Sequence, residues 1–508
     1  LVLDLTGPVA TSVIEDAINT IIARHEALRI RLMMDGADVW QVVDSTAPLT
    51  LGKLSADADT VRKRVIKETR IPFKLIGDRL IRATLFRIHD QRALLAVTIH
   101  HMLADRASMR VIAKELFELC AAKLESREPV LPHLPIQYSD YTYWQRHLPA
   151  RVSESLLGYW KYQLHGRLQA IELPINRPRP AVHTFTEACH EIVIESPVVQ
   201  RLNAFAEQEG LTPFDLVFAG LNALLRRYTG HEELVVGTSV PCRNQPATYS
   251  VVGPISNLLV LRTFCNDRTS FHALCAQGHR KTEQAFQYQE MQFDQLVLAL
   301  KPEKDMSRTA LFDVLCQFDE KGGETLCAGA LQASVIETNL GYGKYDLHLY
   351  VHPDRDQWVG KLVYNADLFD AWLIEQMMRH YVVLLEALAA DPSQLIDDVP
   401  LLSDKEEHQQ LIDWNQSDAN YPTEKTLHQL FEEQVERTPD HIAISILDSH
   451  LTYRELNERA NRLAHHLREL GTAQEELVAL CLDRSLEMIV AMLGAIKAGV
   501  AYVPIDPT

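Results

Sequence analysis

The chain has 508 residues, too many for one hydrophobic core, because single cores stop growing at roughly 250 to 300 residues. Hydrophobic residues make up 47% and charged residues 23%, globular proportions that argue against general disorder. The net charge of −18, with no long basic run, argues against a nucleic-acid partner and points to a protein or small molecule instead.

In chain order, Ser12 to Leu28 places Ile14, Ile18, Ile21 and Ile22 at helical spacing, and the apolar stretch Ile30 to Met34 follows. Asp57 to Glu68 is a helix-sized run leading into LIRATLFRI. ALLAVTIHH is a second strand candidate before the helical run Met109 to Leu124. Proline-rich EPVLPHLPIQ and LPINRPRPAV come next, the latter predicted as a crossing between two lobes. LNAFAEQEGLTPFDLVFAGLNALLRRYTG then predicts two helices separated near Gly210, and EELVVGTSVPCRN a strand running into a turn. The α/β alternation repeats through VVGPISNLLVLRTF, DLHLYVH and GKLVYNA to a final helix around Ala371 to Leu388. This predicts an α/β fold with one lobe over residues 1–170 and a second over 171–402. A polar, acidic linker at 403–425 and a last segment over 426–508 complete the chain.

Eight cysteines without a CxxC pair indicate neither a zinc ribbon nor a disulfide framework and fit reduced thiols in cytoplasm. No apolar stretch reaches the roughly 20 residues that cross a bilayer, and LVLDLTGPVATS lacks the layout of a signal peptide, so no membrane partner is expected.

The residues with the most chemistry are His100, His101 and Asp105, in TIHHMLADRAS, where a strand candidate gives way to a loop and a helix. Neighbouring strand residues point to opposite faces, so His101 shares a face with Leu95, Val97 and Ile99 while His100 faces the other way. One metal ion would need both rings to converge, and no HxH, HExxH or cysteine cluster accompanies them, which disfavours a metal site. A single imidazole suits acid–base work, its unperturbed pKa being about 6.5. From the dipeptide alone, a structural pair satisfied by backbone carbonyls is the stronger reading.

The surroundings reverse that preference. HHMLADR resembles the HHxxxDG signature of the condensation domains of nonribosomal peptide synthetases, and other elements match in the family's order. RHEALRIRL (24–32) resembles RHExLRTxF, and YSDYTYW (138–144) resembles YxDFAxW. GPISNLLVLR (253–262) resembles GxFVNTxxLR, YQEMQFDQL (288–296) resembles HQDxPFEQL, and DMSRTALFDV (305–314) resembles RDxSRxPLFxV. The resemblance covers roughly residues 1–402. Most of these elements also have a plain reading. Arg24 and Glu26 are expected to face solvent or each other at a helix end. Tyr138, Tyr141 and Trp144 are expected as core or lobe-contact aromatics, and Tyr364, Asn365 and Asp367 as turn and packing residues.

The resemblance implies two chloramphenicol-acetyltransferase-like lobes forming a V around a central tunnel. A donor thioester and an acceptor amine would enter from opposite faces, each on a phosphopantetheine arm carried by a partner carrier-protein domain. No cofactor bound by the chain itself is implied. His101 would meet both reactants as base or as orienting group, and His100 would be structural. Asp105 would pair with Arg243 from the opposite lobe, and Ser108 and Asn257 would lie along the substrate tunnel. Arg106 and Ala107 stand where the family usually has Gly and often Trp. Arg106 is therefore expected either to contact a donor or phosphopantetheine group, in a subset accepting non-amino-acid acyl chains, or to point to solvent. The family's first element, SxAQxRLW, is absent.

From Thr426 on, TLHQLFEEQVERTPDHIAI, LTYRELNERANRLAHHLRELG and IKAGVAYVPIDPT resemble the opening of an adenylation domain, without the phosphate loop that should follow. No amino-acid activation by this chain is expected, and the rest of that domain would be a partner. Three other readings compete: an epimerisation domain, disfavoured by the adenylation segment that follows; a heterocyclisation domain, which usually carries DxxxxD in place of the histidine pair; and a non-catalytic platform that docks carrier proteins.

Overall fold

The computed structural model describes residues 1–8, 10–45, 48–320, 325–328, 330–336 and 341–507. It divides into two compact units, Leu1–Glu406 and Glu407–Thr508. Among the described residues, the first contains two six-stranded sheets and two principal hydrophobic cores.

The first sheet runs in the order Thr325–Ala328, Leu331–Val335, Val2–Thr6, Arg92–Ile99, Ile81–His89, Gly52–Ser55. Side-chain alternation sends Leu3, Leu5, Leu85, Leu95 and Val97 to one face, against Ile14, Ile18, Ile21 and Ile22 of the helix Thr11–Arg24 and Ile112 and Leu116 of the helix Arg106–Leu124. The opposite face carries Val2, Phe86, Leu94 and Ala96 under Val61 and Val65 of the helix Val61–Thr69. With both faces covered, residues 93–97 are buried without a break.

The second sheet runs Glu187–Ile194, Gln357–Asn365, Leu347–Asp354, Val314–Phe318, Glu233–Val240, Asn257–Phe264. Its core is organised by the helix Pro213–Thr229, in which residues 215–225 are all buried. The break expected near Gly210 is present: Gly210 ends the preceding helix Ser196–Glu209 with φ +68°, and Thr212 with Asp215 forms a capping box on Pro213–Thr229.

Two features depart from the division at residue 170. Leu331–Val335 pairs with Val2–Thr6, Leu3 opposite Val335, so the first lobe's sheet is completed by chain from the second half. Conversely, Tyr141, Trp160 and Leu164 already pack in the second core. Tyr138 packs against both cores, the lobe-contact role expected of it, whereas Trp144 is exposed. Gly253 lies against the Tyr138 ring, and a Cβ there would sit 2.3 Å from Cδ2. Gly253→Ala is expected to cost about 1–3 kcal/mol of stability, read as a lowered denaturant midpoint.

The expected linker begins in order: Ser403 hydrogen-bonds Glu406 at the start of the helix Asp404–Leu411. In the second unit, Thr452 and Glu455 of LTYREL form a capping box on the helix Tyr453–Glu469. Gly499, φ +86°, closes the helix Leu486–Ala498 before the strand Ala501–Ile505. Among the described residues, no helix is long and apolar enough to cross a membrane, and no group of three or more His, Cys, Asp or Glu could hold a metal.

Candidate active site

The strand Arg92–Ile99 stops one residue before the histidine pair, so alternation along a strand does not set the two rings apart. A turn does. His100 donates its backbone N–H to Leu80 O at 2.9 Å and accepts Leu103 N–H at 2.9 Å. Its ring Nδ1 accepts Met102 N–H at 3.3 Å and its edge meets Phe73, with ring centroids 6.2 Å apart. Burial, and then the nearby His101, hold the His100 ring below the ordinary histidine range. His101 turns the other way, exposed, onto a cavity of about 520 Å³. Its Nδ1 lies 3.0 Å from Ala104 O. A carbonyl only accepts, so Nδ1 carries a proton here, and in the neutral ring the lone pair is then on Nε2.

Asp105 is the N-cap of the helix Arg106–Leu124 and is 2% exposed. Its carboxylate accepts from Ser108 N (2.8 Å) and Oγ (2.7 Å), Arg243 Nη1 (2.8 Å) and Nη2 (3.0 Å), Ile255 N (3.1 Å) and Ser256 N (2.9 Å). Burial alone would raise its pKa, but the Arg243 guanidinium and the Ser108 hydrogen bonds outweigh it and hold the group below the usual carboxylate range. Arg243 reaches it from the loop after the strand Glu233–Val240, where Cys242 takes a left-handed φ of +49° to turn the chain. The expected pairing of Asp105 with Arg243 is therefore present.

Ser108, expected along the tunnel, is instead completely buried: its hydroxyl is shared among Asp105, Gly253 and Arg243, so it braces the Asp105–Arg243 pair and does not face the cavity. Asn257 does line the cavity, with its amide donating to Gln289 O (2.8 Å) and Met291 O (2.7 Å) and accepting Phe293 N–H (3.1 Å). It fixes the loop that forms one wall.

Arg106 also lines the cavity, but its guanidinium crosses to the second lobe. It lies 4.3 Å from the Tyr350 ring centroid, hydrogen-bonds the Tyr350 hydroxyl, and sits 3.2 Å from Asp319. Arg110 pairs with the same carboxylate, and Tyr350 donates to it at 2.8 Å. Burial acts against Asp319 ionising, yet Arg110 and Tyr350 hold its pKa down.

The remaining walls include Ser239, Gln292, Phe293, Leu315, Gln317, Tyr345 and His348, so the cavity is built by both lobes. Sequence reasoning missed Gln317 and His348 on the cavity wall, and Asp319 and Tyr350 as the partners of Arg106. It also misjudged RHEALR. Arg24 bonds Glu115 at 3.1 Å, and His25, 1% exposed, bonds the same carboxylate at 2.9 Å, so the element anchors the helix Arg106–Leu124. An acid on that helix's apolar face was the available signal. Asn365 is buried and bonded to Thr184, the packing role expected.

A family profile described as Condensation domain matches residues 1–411, and one described as AMP-binding enzyme matches 431–508. Phosphinothricin tripeptide synthetase PhsC of Streptomyces viridochromogenes is 34% identical over 98% of the chain, and surfactin synthase subunit 1 of Bacillus subtilis is 33% identical over 99%. The chain spans only 47% and 14% of those relatives' lengths. The X-domain of teicoplanin biosynthesis, solved as a complex with OxyB, aligns with TM-score 0.72 and 28% identity over 80% of this chain and 91% of that one. A four-domain nonribosomal peptide synthetase solved with AMP and glycine shares the fold, with TM-score 0.84 and 22% identity over 100% of this chain and 40% of that one. Residues 1–411 belong to the condensation-domain family of nonribosomal peptide synthetases, enzymes that form amide bonds, and are followed by the start of an AMP-binding domain.

Proposed function

We propose that this chain joins a carrier-bound acyl or peptidyl thioester to a carrier-bound aminoacyl amine inside the two-lobed chamber. The amine nitrogen attacks the thioester carbonyl, the C–N bond forms and the C–S bond breaks. The thiol leaves with a proton, and the amide stays on the acceptor's arm. The observation that carries this reading is the placement of His101: the ring belongs to the chamber lining, and its Nδ1 lies 3.0 Å from Ala104 O, so that in the neutral ring Nδ1–H is engaged there and Nε2 has the free lone pair. That nitrogen can take the amine's proton, or hold the amine while the tetrahedral intermediate forms.

The partners are a donor and an acceptor carrier domain, whose phosphopantetheine arms deliver the substrates, and the remainder of the adenylation domain, acting together in the cytoplasm. The test is intact-protein mass spectrometry of acceptor carriers mixed with the chain and a panel of loaded donors. A gain equal to the donor acyl group is expected, and no gain with any donor would contradict the reading.

Arg106 is read as a donor-selecting residue for non-amino-acid acyl chains, because the residue lines the chamber while its guanidinium is held by Tyr350 and Asp319 of the second lobe. Arg106→Gly is expected to shift the ratio of fatty-acyl to aminoacyl donors consumed by about tenfold in a competition assay. An unchanged ratio and rate would remove Arg106 from the account.

A second reading, a platform that docks partners without chemistry, draws on the likeness to the X-domain, which was solved bound to OxyB. It predicts binding of loaded carriers with no transfer between them.

A further inference from the structure

The floor of the chamber carries a polar pair that amide formation at His101 leaves unused. Gln317 lies on the strand Val314–Phe318 and His348 on its parallel neighbour Leu347–Asp354, with Leu315 in register opposite His348. Both side chains line the chamber that His101 lines, among apolar Leu258, Leu315 and Val363. His348 Nε2 is 2.7 Å from Gln317 Oε1, so Nε2–H donates to the amide oxygen. Two polar atoms are then left over: Nδ1 of His348, an acceptor, and Nε2 of Gln317, a donor. Neither has a protein hydrogen-bond partner among the described residues, and neither is among the fully buried polar atoms. Burial, and then the charge of Arg106, push His348 down to about 4, so its ring stays neutral and Nδ1 stays an acceptor at neutral pH.

We propose that Gln317 and His348 form a subsite that hydrogen-bonds a neutral group offering both a donor and an acceptor, an amide or a hydroxyl, on the tethered substrate. The proposal rests on the chamber being the condensation site. An aliphatic group placed there would strip both atoms of water without replacing it, and a carboxylate would meet the His348 lone pair; each mismatch costs affinity. The matching group can come from the substrate's side chain or from an amide of the pantetheine arm.

The test uses the full chain and its Gln317→Leu/His348→Phe variant, with near-isosteric pairs of loaded carriers, asparagine against leucine and threonine against valine, each offered as donor and as acceptor. If the side chain is the ligand, the wild-type chain favours the polar member about tenfold in kcat/KM and the variant loses that ranking. If the arm is the ligand, the variant slows every pair about tenfold, and the loss vanishes with simple ethyl thioesters, which lack the arm's amides. His348→Gln, which keeps a donor and an acceptor, should retain the wild-type behaviour in either case, and it serves as the readout should the double variant melt early. Product formation with neither ranking nor rate altered overturns the subsite alone. Absence of product from the wild-type chain with every pair overturns the condensation reading and the subsite together.

Discussion

Asp105→Ala is expected to lower stability by about 3 to 5 kcal/mol, the cost of leaving a buried charge without its partner. Arg243, whose side chain is 6% exposed, would keep its charge and lose both carboxylate hydrogen bonds. Ile255 N, Ser256 N and Ser108 N would lose acceptors at the same stroke, and the helix Arg106–Leu124 its cap. The loss would appear as a lower denaturant midpoint and as proteolysis in the loop that follows Val240.

The same carboxylate makes stability depend on pH, with a definite sign. Its folded pKa lies below the unfolded value of about 3.9. The ionised form is therefore favoured by folding, and the contribution is present above that unfolded value. It is lost as pH falls through the depressed folded value. Asp105→Asn, which removes the charge and keeps the shape, should be less stable than the wild type at pH 7. The two should converge on the acid side of the window, in urea unfolding followed while both remain folded. A gap that widens on acidification would contradict the assignment.

His101→Ala should leave the fold intact and slow the chemistry. The ring is exposed on the chamber and bonded only to a carbonyl three residues on, so melting should shift little. Positioned acid–base groups contribute typically 10²–10⁴-fold, and the lower end is expected here because a thioester is already activated and an α-amine has a pKa near 8. Single-turnover mass spectrometry should show roughly a hundredfold loss in kcat with little change in KM for either loaded carrier. His100→Ala, by contrast, should act through the turn, because its ring Nδ1 holds Met102 N–H and faces Phe73.

The parts of this site that were legible in the sequence are those whose chemistry is local. The strand, loop and helix around His100, His101 and Asp105 follow from hydrophobic spacing, whereas the capping of the helix Arg106–Leu124 by Asp105 emerged only in the structure. Arg243 could be assigned only through the family pattern, since nothing local ties it to Asp105. Ser108 misled because a small hydroxyl in a catalytic motif reads equally as substrate contact or as cap support. Its burial beneath Gly253 depends on a contact 145 residues away. The addition of Thr325–Ala328 and Leu331–Val335 to the first sheet had no signal, because Leu331–Val335 is held by pairing with Val2–Thr6 and Thr325–Ala328 by pairing with Leu331–Val335, not by a pattern of their own. The Arg106, Asp319 and Tyr350 cluster and the Gln317–His348 pair likewise exist only once the second sheet's register is set. Sequence and resemblance thus pointed to His101, the Asp105–Arg243 pair, and Arg106 and Asn257 on the cavity wall, and missed Gln317 and His348.

The central claim is that His101 presents one bare nitrogen to the reactants, and ¹⁵N resonances of its ring read that directly, assigned by their loss in His101→Ala. A protonated Nδ1 and an unprotonated Nε2, with only the Nε2 signal moving when an acceptor amine on its carrier is added, is the predicted result. A proton on Nε2, or a ring indifferent to the amine, would contradict it.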